Sequence, residues 1–134
     1  MDVRLDGRTA IITGGSAGLG KATAQNFVLS GANVVVVGRR ECNLQNAISS
    51  IQLACRNSST AYGEIKPISA DIRFAEQCEK VVAFASSEFG KTDILINNAG
   101  TSQKGDFLEV TDALWRDDLD LKLFAAIRLS RSVI

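Results

Sequence analysis

Thr13-Gly14-Gly15-Ser16-Ala17-Gly18-Leu19-Gly20 decides how the rest of this chain is read. It follows a short apolar run, Thr9-Ala10-Ile11-Ile12, and leads into a helical pattern that begins near Leu19. A strand that turns through glycines directly into a helix aims several backbone N–H groups, and the positive end of the helix dipole, at one place. Such a junction is an anion site made of backbone alone, suited to a phosphate or pyrophosphate. The spaced glycines divide the work. Gly14 permits a tight turn, Gly18 lets backbone approach a ligand, and Gly20 lets the helix sit close to the neighbouring strand. A strand–loop–helix junction with no ligand could use the same glycines, so the motif needs context.

Two nucleotide patterns compete for this stretch. Gly15 through Gly20-Lys21 fits the phosphate loop of ATP-binding proteins, G-x-x-x-x-G-K. That loop continues with Ser or Thr to hold magnesium, whereas Ala22 stands here and Thr23 comes one place late. A dinucleotide site needs no metal and calls for a second strand ending in a discriminating residue about 20 positions on. Val34-Val35-Val36-Val37-Gly38 supplies the strand and Arg39-Arg40 ends it, with Arg39 nineteen residues beyond Gly20. The dinucleotide reading prevails.

Bulk properties agree. A chain of 134 residues, 46% apolar and 22% charged, fits one domain with a real core. Formal net charge is zero, which gives no field to draw nucleic acid or an anionic membrane. No stretch approaches the roughly 18 apolar residues of a membrane span. The opening residues Met1 to Asp6 do not read as a signal peptide. Cys42, Cys55 and Cys78 are odd in number and widely spaced, as expected of buried, reduced thiols in a cytoplasmic protein. There is no histidine, so Ser-His-Asp triads and imidazole acid–base chemistry are excluded, and no metal site is expected.

Strand and helix patterns alternate along the chain. Strands are expected at 9–13, 34–38, 64–69 and 93–97, and helices at 19–30, through Leu44, Ala47, Ile48, Ile51 and Cys55, and through Cys78, Val82, Ala85 and Phe89 to Gly90. Pro67, the single proline, marks the third strand as a sheet edge. Thr111 reads as the N-cap of one long helix carrying Trp115, Leu119, Phe124, Ala125 and Leu129. Right-handed crossovers then give a Rossmann-type, doubly wound parallel α/β sheet of order 3-2-1-4, with ligands at the carboxyl ends of the strands.

With Thr13-Gly14-x-x-x-Gly18-x-Gly20, Leu5-Asp6-Gly7-Arg8, Asp71-Ile72 and Asn97-Asn98-Ala99-Gly100 in this order, the sequence resembles the short-chain dehydrogenase/reductase family. The pattern is most similar to 3-oxoacyl-carrier-protein reductase-like members. The resemblance implies that Ser16 and Leu19 lie beside the cofactor phosphates, that Asp71 holds the adenine amino group, and that Ile72 contributes backbone. It implies that Asn98, Ala99 and Gly100 line the ribose and nicotinamide side. Asp71 equally suits capping of the third helix, and Asn98 could serve only to satisfy backbone at a strand end.

Arg39 and Arg40 bear on cofactor choice. NAD sites place an acid here for the ribose 2′-hydroxyl, whereas guanidinium groups suit the 2′-phosphate of NADP. NADP is therefore expected over NAD. A solvated arginine pair at a helix start is the duller alternative.

The resemblance also implies hydride transfer between nicotinamide and an alcohol or ketone, using a Ser, a Tyr and a Lys beyond a fifth strand that this chain does not reach. Tyr62 and Lys66 share the Y-x-x-x-K spacing but lie in a loop-to-strand segment. Asp120-Leu121-Lys122-Leu123 aligns with the family's Asp-x-Asn-Leu, which puts Lys122 at a catalytic Asn position. A solvent-facing helix lysine would look the same. The chain ends without a helix stop, so residues 1–134 are expected to be an incomplete NAD(P)-binding domain ending within helix four. The C-terminal half of the fold would then be missing, the parent protein being about twice as long. The expected function is the cofactor half of an NADP-dependent oxidoreductase. It would act on a small alcohol or ketone and form a homo-oligomer through helix four, with neither membrane nor nucleic acid as partner. The alternatives are a catalytically silent dinucleotide-binding module and, less favoured, a phosphate-loop ATP-binding protein.

Overall fold

The computed structural model describes residues 3–101 and 105–134, which leaves Met1-Asp2 of the opening outside. Four strands, β1 (Thr9–Thr13), β2 (Asn33–Gly38), β3 (Ile65–Ser69) and β4 (Ile94–Ile96), form one parallel sheet in the order β3-β2-β1-β4. Helices α1 (Gly18–Leu29), α2 (Glu41–Arg56) and α3 (Ala75–Phe89) make the crossovers. This is the expected Rossmann-type arrangement.

The central strands carry no apolar–polar alternation because both their faces are covered. Ala10, Ile12, Val34 and Val36 pack under α1 and α2, against Val28, Leu44 and Ile51. Ile11, Val35 and Val37 point the other way, onto Cys78, Val81 and Ala85 of α3 and onto Ala125 and Leu129 further along. Each fully buried Val, Ile or Leu contributes roughly 1.5–3 kcal/mol of transfer free energy, so these strands supply the stable centre. The apolar stripe read on α2 is the one it buries: Leu44, Ala47, Ile48, Ile51 and Cys55. In α3 the buried residues are Cys78, Val81 and Ala85, with Val82 and Phe89 packed at the margin. Gly90 ends that helix in the left-handed region, at φ +83°.

Pro67 pairs with Val36 on β3, which has β2 as its one neighbour, so its missing N–H spoils no second ladder. Cys55 and Cys78 are buried, but Cys42 is exposed, against expectation. It stands in the first turn of α2, off the Leu44–Cys55 stripe.

Thr111 caps the fourth helical segment as expected, accepting the Leu114 N–H at 3.3 Å. The expected long helix runs unbroken from Asp112 to Val133, but it is not uniformly α-helical. Instead α4 (Asp112–Leu119) runs into a π-helical turn (Asp120–Phe124) and then α5 (Ala125–Val133). Such a turn admits one extra residue, and sequence patterns do not announce it. No helix among the described residues is long and apolar enough to cross a membrane.

Candidate functional site

The carboxyl end of β1 is where the chain changes from strand to helix. Thr13 is buried there, and its hydroxyl makes all three bonds open to it. It accepts the N–H groups of Asn98 and Ala99, both at 3.0 Å, and donates to the Ile96 carbonyl at 3.3 Å. The Asn98 side-chain amide donates to the Gly14 carbonyl at 3.2 Å. Gly14 takes a left-handed φ of +66°, and its N–H and that of Gly15 both donate to the Val37 carbonyl. The turn is thereby lashed to β2 on one side and to the end of β4 on the other.

Gly20 is required for a different reason. A Cβ there would collide with the Gly14 carbonyl and the Asn98 amide, so the helix start sits directly on the turn it follows. Gly18 has φ +53° and open space beside it. The N-cap of α1 is Ala17, which offers no side-chain oxygen, and the first turn carries no acid. The first amides of α1 therefore lack a side-chain cap, as a helix end that receives an anion should.

Around this turn the strand ends form one groove. Gly14 and Ser16 contribute from the turn and Val37, Gly38 and Arg39 from β2. Ala70, Asp71 and Ile72 follow β3, while Ala99, Gly100 and Thr101 follow β4. Leu121, from the π-helical turn, closes the side. The glycine turn and Arg39 thus share one groove. Gly18 and Leu19 are exposed, Gly20 is buried and Asn98 is half-buried; none of the four belongs to the groove's lining. Arg40 is exposed at the N-cap of α2 and lies outside the lining.

Asp71 does not cap α3; Phe74 occupies that place. The carboxylate turns instead to Arg73, whose Nε and Nη2 grip both oxygens at 2.7–3.2 Å and whose N–H adds a bond at 3.2 Å. This two-pronged pairing holds the Asp71 carboxyl below the usual carboxylate range, helped by the positive charge of Arg39. Arg39 itself makes no side-chain hydrogen bond or ion pair among the described residues; its carbonyl accepts from Ser69 Oγ at 2.9 Å. One guanidinium at the groove is committed and the other is available.

Lys122 lies in the π-helical turn with its Nζ on Asp118, at 2.9 and 3.1 Å from the two oxygens. A Cβ built on Gly100 would lie 4.0 Å from Lys122 Cε, so the side chain passes the loop that follows β4 at the groove. Its position is half exposed. Tyr62 and Lys66 line a separate hollow with Arg56 and Cys55.

Sequence reasoning passed over Thr13 as a brace, Arg73 as the partner of Asp71, and Leu121 as a wall. A hydroxyl ending a buried strand was a usable signal for the first. An arginine two residues from an acid signals little, and Leu121 reaches the groove only through the π-helical turn.

Residues 8–134 match the short chain dehydrogenase family. The chain is 32% identical over 133 residues to the oxidoreductase YvrD of Bacillus subtilis, covering 98% of this chain and 46% of the relative. It is 33% identical over 124 residues to the short-chain reductase protein NovJ of Streptomyces niveus, covering 92% and 45% respectively. The L-sorbose reductase of Gluconobacter frateurii, solved with NADPH and L-sorbose, superposes with a TM-score of 0.90 at 34% identity, over 99% of this chain and 48% of that one. A metagenomic short-chain oxidoreductase solved with NADP gives 0.85 at 27% identity, over 96% and 55%. The chain spans about half the length of the relatives it matches. The match over residues 8–134 sets aside the ATP-binding alternative, and the chain belongs to the short chain dehydrogenase family.

Proposed function

We propose that this chain is the cofactor-binding half of an NADP-dependent oxidoreductase acting on a small alcohol or ketone. One observation carries the reading: a single groove is lined both by the glycine turn and by an arginine with no partner among the described residues. The uncapped start of α1 with Gly14, Ser16 and Leu19 would hold the pyrophosphate. Asp71 and the Ile72 backbone would hold the adenine, and Arg39, with Arg40 behind it, the 2′-phosphate. Ala99 and Gly100 would face the nicotinamide side, with the Asn98 side chain bracing the glycine turn through the Gly14 carbonyl. When bound, the cofactor supplies or accepts a hydride. Lys122, whose Cε passes close to Gly100 and whose Nζ is held by Asp118, would present its ammonium toward that end of the groove. The L-sorbose and NADPH bound by the Gluconobacter relative support both the cofactor and a polar carbonyl substrate. The same reading includes association with a second copy through α4 and α5, which leave Trp115, Leu119, Leu123, Phe124 and Ile127 exposed.

The test is Arg39→Asp. Titrating NADPH and NADH into each chain by calorimetry should show the affinity ratio reversing, because a carboxylate repels the 2′-phosphate and accepts the 2′-hydroxyl. An unchanged ratio would overturn the assignment.

A further inference from the structure

Four charges alternate from the groove to α4: Arg39, Asp71, Arg73 and Asp117. Arg73 is held from several sides. Its Nη1 reaches Asp117 of α4 at 3.4 Å, its carbonyl accepts from Arg128 of α5 at 2.9 Å, and its guanidinium lies 5.8 Å from the Phe74 ring centre. Its remaining donors take both oxygens of Asp71. Arg39 and Asp71 border the same groove and also the same adjoining hollow beside Phe74 and Glu76. They are near enough for the charge of Arg39 to favour the ionised carboxylate. In this arrangement an acid stands beside the uncommitted guanidinium of Arg39, and among the described residues it is Arg73 that occupies that acid.

We propose that Arg73 is a specificity-determining residue, which keeps the Asp71 carboxylate from closing onto Arg39 and so leaves Arg39 open to a 2′-phosphate. The inference rests on the NADP reading above and adds a residue that never touches the phosphate. Without Arg73, Asp71 would take the nearest cation. An incoming phosphate would then compete with a carboxylate already in place, whereas a 2′-hydroxyl would lose nothing comparable. Glu76, the other acid at the hollow, stays in every variant, so a change in preference on replacing Arg73 reports on Asp71.

The experiment is calorimetric titration of the full chain with NADPH and with NADH, for wild type, Arg73→Gln, and Arg73→Gln combined with Asp71→Asn. Preference for NADPH should fall about tenfold in Arg73→Gln, the scale of one weakened charge-assisted contact. It should return to within about twofold of wild type when Asp71→Asn is added, a rescue that a purely structural role for Arg73 would not give. Asp71→Asn alone, which leaves Arg73 in place, should keep the ratio or raise it. Wild type without NADPH preference would overturn the functional reading and this inference with it. Preference in wild type that survives in a folded Arg73→Gln chain, that is not restored in the double variant, or that falls in Asp71→Asn, would overturn this inference alone.

Discussion

The seam between β1 and β4 is tied at both ends, by different chemistry. At the amino end a carboxylate does it: Asp93 accepts the Thr9 N–H at 2.9 Å and returns its own N–H to the Thr9 carbonyl at 2.8 Å. Lys91 at 3.2 Å and Arg8 at 3.5 Å flank that carboxylate. At the carboxyl end the ties are a hydroxyl and an amide, Thr13 and Asn98, with no formal charge. Both pairs hold the strands in register. A carboxylate beneath the glycine turn would repel the anion proposed to bind there, whereas the neutral ties of Thr13 and Asn98 do not.

Substitutions can break this contrast in a graded way. Gly20→Ala should have the largest effect, since its methyl meets backbone at Gly14 that cannot swing aside. NADPH binding should fall below detection in calorimetry and stability should drop by about 3 kcal/mol in a denaturant melt, as in an overpacked core. Thr13→Val keeps the shape but leaves the part-buried Ala99 N–H without its acceptor, the Asn98 N–H keeping the Ile96 carbonyl, so stability should fall by about 1 kcal/mol and NADPH should bind more weakly. If Thr13→Val left stability untouched, the seam at the ligand end would have to be held by something else.

The smallest effect belongs to the amino end. The Thr9 N–H first, then Lys91 and Arg8, hold the Asp93 carboxyl below its usual range. A depressed carboxyl stabilises the fold fully above about pH 4, its ordinary value, and loses that contribution as pH falls through the folded value. Asp93→Asn should therefore lower Tm at pH 7, and the gap from wild type should close as the pH falls through the folded value, below the ordinary carboxylate range. NADPH affinity measured at pH 7 should not change, which separates the two ends functionally.

Much of this was legible because burial leaves a pattern. The unbroken Val34–Val37 run announced a strand covered on both sides, the α2 stripe announced its buried face, and Pro67 announced an edge. The glycine turn was legible for the same reason, since backbone constraint restricts residue choice. Details set by side-chain pairing were not. Whether Asp71 caps a helix or grips Arg73 depends on where α4 and α5 place Asp117 and Arg128, which local sequence does not encode. Arg39 and Arg40 are alike in sequence, yet the end of β2 places only Arg39 in the groove lining. Asn98 read as a groove residue; its side chain donates to the Gly14 carbonyl and is not part of the lining, a pairing that local sequence does not announce.

The π-helical turn at Asp120–Phe124 sets a phase shift between the helices it joins. One surplus residue amounts to about 100° of rotation about the axis, so α4 and α5 cannot share a continuous face. α5 sinks Ala125 and Leu129 into the body of the protein, while α4 buries nothing. The two helices thus answer to separate surfaces: one is anchored by the sheet's own packing, and the other stands off it, tethered by Asp117 to Arg73.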